Sequence, residues 1–355
     1  MPDSLLQDIC ACITDHAPAN SHLLAANEGN AVALAAGYYL ATGKVGLVYM
    51  QNSGLGNALN PLMSLTDPLV YSIPLVLLIG WRGEPGIKDE PQHAKQGQIT
   101  KALLDTMGIK HEVLPANEKE AKRLIAEAVG HINRKGEPYA LVVRKGTFEK
   151  YRPEKDNEYK FTLTRERVIE ATLQSLSEED VVVATTGKIS REIYEYRANN
   201  NEGHHRDFLS VGSMGHASQL ALAIAIKKLG RSIFCFDGDG AVIMHMGALA
   251  INGQASLSNF KHLVFNNGVH DSVGGQPTAG FKIDLGAVAK HCGYKTVLKT
   301  EEEAELLDLL PKLSTYPGPL FLEIFVKPGA RNDLGRPKST LLENKKGFMT
   351  FLNQK

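Results

Sequence analysis

The chain has 355 residues, with Lys plus Arg equal to Asp plus Glu at 39 each, so no net charge of either sign draws it to nucleic acid or to an anionic membrane surface. Hydrophobic residues make up 43% and charged residues 22%, an ordinary globular balance that argues against disorder as the main state and suits two domains of about 150 residues each. The four cysteines, Cys10, Cys12, Cys235 and Cys292, follow neither a zinc pattern nor a disulfide framework and read as reduced thiols. The N-terminus lacks a basic segment followed by an apolar signal core, and no apolar run reaches the ~20 residues that span a bilayer, so a cytoplasmic protein is expected.

In chain order, the apolar runs 22–27, 45–50, 74–80 and 139–144 predict strands, with helix-period stretches between most of them. A charged, aperiodic segment at 148–162 reads as a linker, which makes 1–147 and 163–355 the two domains. After it the alternation restarts with strands at 180–185, 232–236, 262–265 and 319–326. The expected fold class is α/β, with two parallel sheets flanked by helices and no domain between them. Ligands of such sheets bind beyond the carboxyl ends of the strands, so the residues after each apolar run are the ones to inspect.

The run 232–236 leads straight into Asp237-Gly238-Asp239-Gly240-Ala241, and the run 262–265 ends in Asn266-Asn267-Gly268. A right-handed crossover returns the chain parallel to the first strand, placing Asp239 and Asn267 one or two strand spacings apart, ~5–10 Å. Carboxylate, amide oxygen and backbone carbonyl are hard ligands of the kind Mg²⁺ prefers, with phosphate oxygens completing the octahedron. The two glycines admit a diphosphate, and a helix starting near Ala241 adds unsatisfied N–H groups. Taken singly, Gly-Asp-Gly is a turn and Asn-Asn a strand cap.

At this spacing the run 238–268 resembles the signature of the thiamine-diphosphate-dependent 2-oxo-acid decarboxylases. That resemblance implies thiamine diphosphate and Mg²⁺ as cofactors, and the side chains of Asp239 and Asn267 with the carbonyl of Val269 as metal ligands. Gly238, Gly240 and Ala241 would line the diphosphate. Thr186-Gly187-Lys188 resembles the family's diphosphate-contacting turn, although an ordinary solvated turn accounts for Lys188 equally well.

In the first half, Asn27-Glu28 is explained by an N-cap and an acidic first turn alone. The stretch 27–44, followed by Gly54-Leu55-Gly56-Asn57, also resembles the pyrimidine-binding half of the same family. The resemblance implies that Glu28 bonds N1′ of the aminopyrimidine, that Gly212 offers its carbonyl to N4′, and that the cofactor folds over Met214. Simple core filling is the other reading of Met214. Because Glu28 and Asp239 fall in different domains, the resemblance implies at least a homodimer with active sites at subunit interfaces.

Three segments, 80–93, 271–278 and 331–337, resemble the family's phosphonopyruvate decarboxylases, with the sulfopyruvate decarboxylases as the alternative. The implied reaction is decarboxylation of 3-phosphonopyruvate to phosphonoacetaldehyde and CO₂. Arg82, Lys88 and His93 are the candidate substrate contacts, since guanidinium and ammonium groups match a phosphono group; solvated loop positions are the bland alternative. His93 and Asp3 are candidate proton carriers. Residues 2–6 resemble a loop that follows an initial strand in the family, so the first domain is expected to lack that strand. A cofactor-binding homologue with little or no turnover is a further expectation.

Overall fold

The computed structural model describes residues 1–18, 20–153 and 160–354. They form two compact units, Met1–Asp156 and Asn157–Lys355. The expected linker 148–162 runs across that division, and its residues 154–159 lie outside the described residues.

The first unit runs α1 (Gln7–His16), α2 (Glu28–Thr42), β1 (Gly46–Gln51), α3 (Leu55–Pro61), β2 (Leu75–Gly80), α4 (Pro91–Thr106), β3 (Lys110–Val113), α5 (Glu118–Lys135) and β4 (Tyr139–Val143). Its sheet is parallel throughout, in the order β1-β2-β4-β3. The strands expected at 45–50, 74–80 and 139–144 are β1, β2 and β4. The one expected at 22–27 joins no ladder: His22 is tied to the Tyr49 hydroxyl at 2.7 Å, Leu23 is exposed, and Asn27 turns outward to cap α2 by accepting from the Asn30 N–H at 2.9 Å. Apolar content alone made that stretch look like a strand; its backbone groups have no neighbouring strand to pair with. Conversely β3, Lys-His-Glu-Val, is polar because it is an edge strand, and gives no apolar signal.

The second unit runs α6 (Arg165–Ser175), β5 (Val181–Ala184), α7 (Lys188–Asn199), β6 (Asp207–Leu209), α8 (Ala217–Lys227), β7 (Ile233–Gly238), α9 (Asp239–Met244), α10 (Ala248–Gln254), β8 (Phe260–Asn266), α11 (Leu285–His291), β9 (Thr296–Thr300), α12 (Glu303–Leu309), β10 (Leu320–Phe325) and α13 (Leu341–Leu352). Its parallel sheet has the order β6-β5-β7-β8-β10-β9. Alternate residues feed two cores: Val182, Ala184, Phe234 and Phe236 pack on one face, Val181, Val183, Ile233 and Cys235 on the other. Burial on both faces is why these strands read as continuous apolar runs. The short β6 and the partly polar edge strand β9 were not legible in that way.

The chain leaves β5 toward β6 on one side, then crosses to β7 on the other, so the direction of winding reverses between β5 and β7. This is the topological switch point, where loops diverge and leave a crevice. The helix expected to start near Ala241 begins at Asp239 and stops at Met244, with α10 starting again at Ala248. Among the described residues no helix is long and apolar enough to cross a membrane.

In the first unit the loop after β2 is seated on α4 through glycine. The Trp81 indole donates to the Gly97 carbonyl at 2.9 Å, and a Cβ on Gly97 would fall on the Gly83 carbonyl, well inside contact distance. Gly83 itself has φ +68° and holds the bend. Gly97→Ala is therefore expected to lower the urea-unfolding free energy by about 2–3 kcal/mol, the usual effect of overpacking a tight contact. Lys95→Ala, on the exposed side of the same helix, should stay within about 0.5 kcal/mol of the parent.

Candidate active site

At the carboxyl edge of the second unit's sheet, four adjacent strands, β6, β5, β7 and β8, deliver the turns Ser210–Gly215, Thr185–Gly187, Gly238–Asp239 and Asn267–Gly268 to one place. Asp239 is the first residue of α9 and is buried; loss of hydration pushes its carboxyl up to about 6, partly offset by the Thr278 hydroxyl and by the N–H groups of Asn267 and Gly240. Parallel pairing aligns Gly238 with Phe265, so Asp239 and Asn267 leave neighbouring strands almost in step. The structure thus brings these two residues together, as the spacing predicted.

The two asparagines divide their work. Asn266 is turned into the sheet, its amide donating to Glu323 Oε1 at 2.8 Å and to the Gly280 carbonyl at 2.9 Å. Asn267 follows, its Oδ1 accepting from the Val269 N–H at 3.1 Å. Val269 pairs with Pro277, but the bonds of that bridge run from His270 N–H to the Gln276 carbonyl and from Thr278 N–H to the Gly268 carbonyl, which leaves the Val269 carbonyl outside it. Behind the turn, Asp237 accepts from the Gly238 N–H at 3.0 Å and faces His262, whose other ring nitrogen lies 3.1 Å from the Tyr294 hydroxyl.

Across the switch point, Thr186 Oγ1 accepts from the Gly212 N–H at 3.0 Å and joins two of the turns. Gly187, with φ +102°, opens α7, and Lys188 is that helix's first residue, its ammonium 3.7 Å from Asp271. Met214 is half-buried and is not among the residues of the two cores on the faces of this sheet. Its loop is bent through positive φ at Gly212 (+73°), Ser213 (+46°) and Gly215 (+82°).

In the first unit Glu28 opens α2 and is buried, with Asn57 Nδ2 donating to its Oε2 at 2.8 Å. Any side chain at Gly54 would overlap the Glu28 carboxyl, so that glycine supplies the space. Asp3 is fully buried and packs on Gly80, where a Cβ would meet its carboxylate. Arg82 spends its Nε and Nη2 on Asp89, at 2.8 and 2.5 Å, and its Nη1 on Ser4 at 2.6 Å. Asp3, Arg82, Asp89 and His93 therefore share one electrostatic neighbourhood. Lys88 is exposed and stands apart from it. Two buried polar atoms of this cluster, Asp3 Oδ1 and His93 Nδ1, have no hydrogen-bond partner among the described residues.

Comparison with known proteins gives the same division. Residues 2–107 match "Thiamine pyrophosphate enzyme, N-terminal TPP binding domain", and residues 185–324 match "Thiamine pyrophosphate enzyme, C-terminal TPP binding domain". The chain is 36% identical over 350 residues to phosphonopyruvate decarboxylase of Streptomyces viridochromogenes, covering 94% of this chain and 86% of the relative. It belongs to the thiamine pyrophosphate enzyme family, among the decarboxylases. Phosphonopyruvate decarboxylase of Streptomyces hygroscopicus is 33% identical over 351 residues, covering 95% and 85%, and sulfopyruvate decarboxylase of Methanosarcina acetivorans is 25% identical over 364, covering 96% and 89%.

For a thiamine pyrophosphate enzyme, the decisive fit is chemical. A carboxylate held almost dry, with hydroxyl and N–H donors as its neighbours, beside an amide oxygen and a carbonyl outside its local bridge, is an oxygen-only donor set that suits a hard dication. Thr278 and Gly280, which complete the wall around Asp239, escaped the sequence reading; a small residue and a hydroxyl in a loop carry no pattern of their own. So did Asn57 and Asp89, whose roles depend on which buried charge they meet.

The buried cluster of the first unit carries opposing pH dependences. Burial pushes Asp3 up to about 6, against the pull of Arg82, so the native state holds an extra proton between pH 4 and 6 and this group's contribution to stability falls as pH rises through that window. Burial and then Arg82 hold His93 down to about 4, so the unfolded state holds the extra proton between pH 4 and 6.5 and this contribution is lost as pH falls. Each effect is on the order of a few kcal/mol, and the two run in opposite directions. Urea midpoints measured from pH 4 to 7 are expected to rise steeply with pH in Asp3→Asn and to decline with pH in His93→Gln. Parallel profiles in the two variants would contradict this assignment.

Proposed function

We propose that the chain is a thiamine-diphosphate- and Mg²⁺-dependent decarboxylase of 3-phosphonopyruvate, releasing CO₂ and phosphonoacetaldehyde as a cytoplasmic enzyme. The observation that carries this reading is the meeting of Asp239 and Asn267 at the switch point, beside the Thr186–Lys188 turn, in a chain that aligns nearly end to end with phosphonopyruvate decarboxylases. Asp239, Asn267 and the Val269 carbonyl would hold Mg²⁺. Thr186, Gly187, Lys188, Gly238, Gly240 and Ala241 would hold the diphosphate, and Gly212, Met214 and Glu28 the ring end. Thiamine diphosphate, when bound, would supply the electron sink for the bonding pair left behind as CO₂ departs.

The chain's own groups handle position and protons. Glu28 sits in a buried seat with one carboxylate oxygen held by Asn57, which leaves the other for a proton at the aminopyrimidine N1′. Arg82 is held in a two-pronged bond to Asp89 and by Ser4, which fixes its loop and leaves one N–H on each terminal nitrogen for an incoming oxyanion. Lys88, exposed on the same loop, is the cation available for the phosphono group. His93 enters as a neutral imidazole, and Asp3, titrating near 6, is the better matched proton carrier at neutral pH.

A second copy of the chain is the partner this reading requires. Helix α2 carries one charge, Glu28, and is apolar around its circumference; it leaves Leu34, Tyr38 and Leu40 exposed, while Leu69, Val70 and Tyr71 are exposed on the loop before β2. A helix of that kind is normally covered on all sides. Leu34→Glu combined with Tyr38→Glu is expected to sediment as a monomer where the parent sediments as a dimer or larger species.

The direct test is CO₂ release by purified protein with thiamine diphosphate and Mg²⁺, offered phosphonopyruvate, sulfopyruvate and pyruvate separately. Preference for phosphonopyruvate is expected; preference for sulfopyruvate would transfer the assignment to that substrate, and cofactor binding without turnover would make the chain a non-catalytic relative. In the same preparation Glu28→Gln should retain the cofactor yet slow exchange of its C2 proton, followed by NMR, by about a hundredfold or more.

A further inference from the structure

The segment 267–280 leaves β8, folds back on itself at the Val269–Pro277 bridge, and returns to place Thr278 on Asp239 and the Gly280 backbone on Asn266. The base of this excursion carries the candidate metal ligands. Its far side is pinned by one residue, Asp271, to three other elements. Asp271 Oδ2 accepts from Arg165 Nη1 at 2.9 Å, and both its oxygens accept from the Gly329 N–H, at 3.1 and 3.2 Å. Lys188 stands 3.7 Å from Oδ1, and Ser272 lies against Gly187.

Arg165 is buried at the start of α6 and is itself fixed by a two-pronged bond to Glu192 of α7, at 2.7 and 2.8 Å, with a further contact to the Gly329 carbonyl at 3.3 Å. The anchor is therefore rigid: a planar guanidinium held by one carboxylate presents its remaining edge to another. The same Gly329 begins the segment 329–337, which Glu166 and Glu195 strap down through Arg331. None of Asp271, Arg165, Glu192 and Gly329 is among the candidate metal ligands, yet the loop bearing Asn267, Val269 and Thr278 has its distal half held by them.

Resting on the reading of that edge as the metal cradle, we propose that Asp271 is the positioning residue that pre-orders the 267–280 loop, with Arg165 as its fixed anchor. In the absence of any cofactor the loop then already holds Asn267 and Val269 near their ligating positions, and the cation finds an assembled site. Removing Asp271 leaves Arg165 paired with Glu192, so no buried charge is stranded, and what is lost is the hold on the loop.

The experiment has two readouts on full-length protein. Amide hydrogen exchange of the cofactor-free protein is compared for the parent, Asp271→Ala and Asp271→Asn, and Mn²⁺ affinity is measured by electron paramagnetic resonance with thiamine diphosphate present. In Asp271→Ala, exchange across 267–280 should accelerate while β7 and β8 keep parental protection, and Mn²⁺ should bind about tenfold more weakly, as is usual when an outer partner of a metal ligand is removed. Asp271→Asn, whose amide oxygen still accepts from Gly329, should fall between. Unchanged loop exchange, equal acceleration in β7 and β8, or parental Mn²⁺ affinity in a loosened loop would each overturn the proposal. Asp239→Ala serves as the reference: if it loses Mn²⁺ while Asp271→Ala keeps it, the failure is confined to Asp271, and if it retains Mn²⁺, the cradle reading itself fails.

Discussion

A carboxylate shut away from water at the end of a parallel strand is the constraint on which the rest of this protein's chemistry turns. Burial works against the charge of Asp239, and its neighbours, the Thr278 hydroxyl and the backbone N–H groups of Asn267, Gly240 and Asp239 itself, offset only part of that penalty. Such a group is stable as an anion where a cation completes it. The register of β7 with β8 brings an amide oxygen to its side, because strands running in step deliver Asp239 and Asn267 to the same level. Twin asparagines serve this arrangement in different ways: one is consumed in bonding to Glu323 and Gly280, and its consumption turns the next outward toward the site.

The first unit solves a different problem with similar means. Glu28 is kept in place by Asn57 and given room by the absence of a side chain at Gly54. Asp3, Arg82, Asp89 and His93 are assembled around glycines at 80, 83 and 97 that let backbone approach backbone or carboxylate more closely than any Cβ would permit. The result is a compact group of charges whose individual proton affinities are pulled in opposite senses. An acid that gains a proton easily and a base that refuses one are what a site needs if it is to hand over a proton near neutral pH.

Charge pairing also redistributes the roles of the cations. Three basic residues, Arg82, Lys188 and Arg165, stand near candidate ligand positions, but Arg82 and Arg165 are each locked in a two-pronged bond to a carboxylate. Locked guanidinium groups orient loops. The lysines, Lys88 exposed and Lys188 loosely paired, keep the freedom to meet an incoming anion. Under the proposed function, recognition of an oxyanion substrate and a diphosphate would rest on these ammonium groups and on backbone N–H groups, with arginine serving as framework.

The sequence by itself determined the class of both sheets, the strands buried on two faces, the helix start at Asn27-Glu28, and the pairing of Asp239 with Asn267. Each of these follows from local chemistry: apolar runs where both faces are covered, a capping side chain, and fixed crossover handedness. Only the tertiary structure decided that residues 22–27 pair with no strand, that the polar β3, the short β6 and the partly polar β9 complete the sheets, and that the helix after Asp239 is broken into two short pieces. It alone showed Arg82 paired with Asp89, Met214 half-buried on a bent loop, Thr278 and Gly280 walling Asp239, and Asp271 gathering Arg165 and Gly329 from 106 and 58 residues away. The physical reason is common to all of them. Whether a polar side chain is free, paired or buried depends on which distant residues meet it, and that information is written in packing rather than in spacing along the chain.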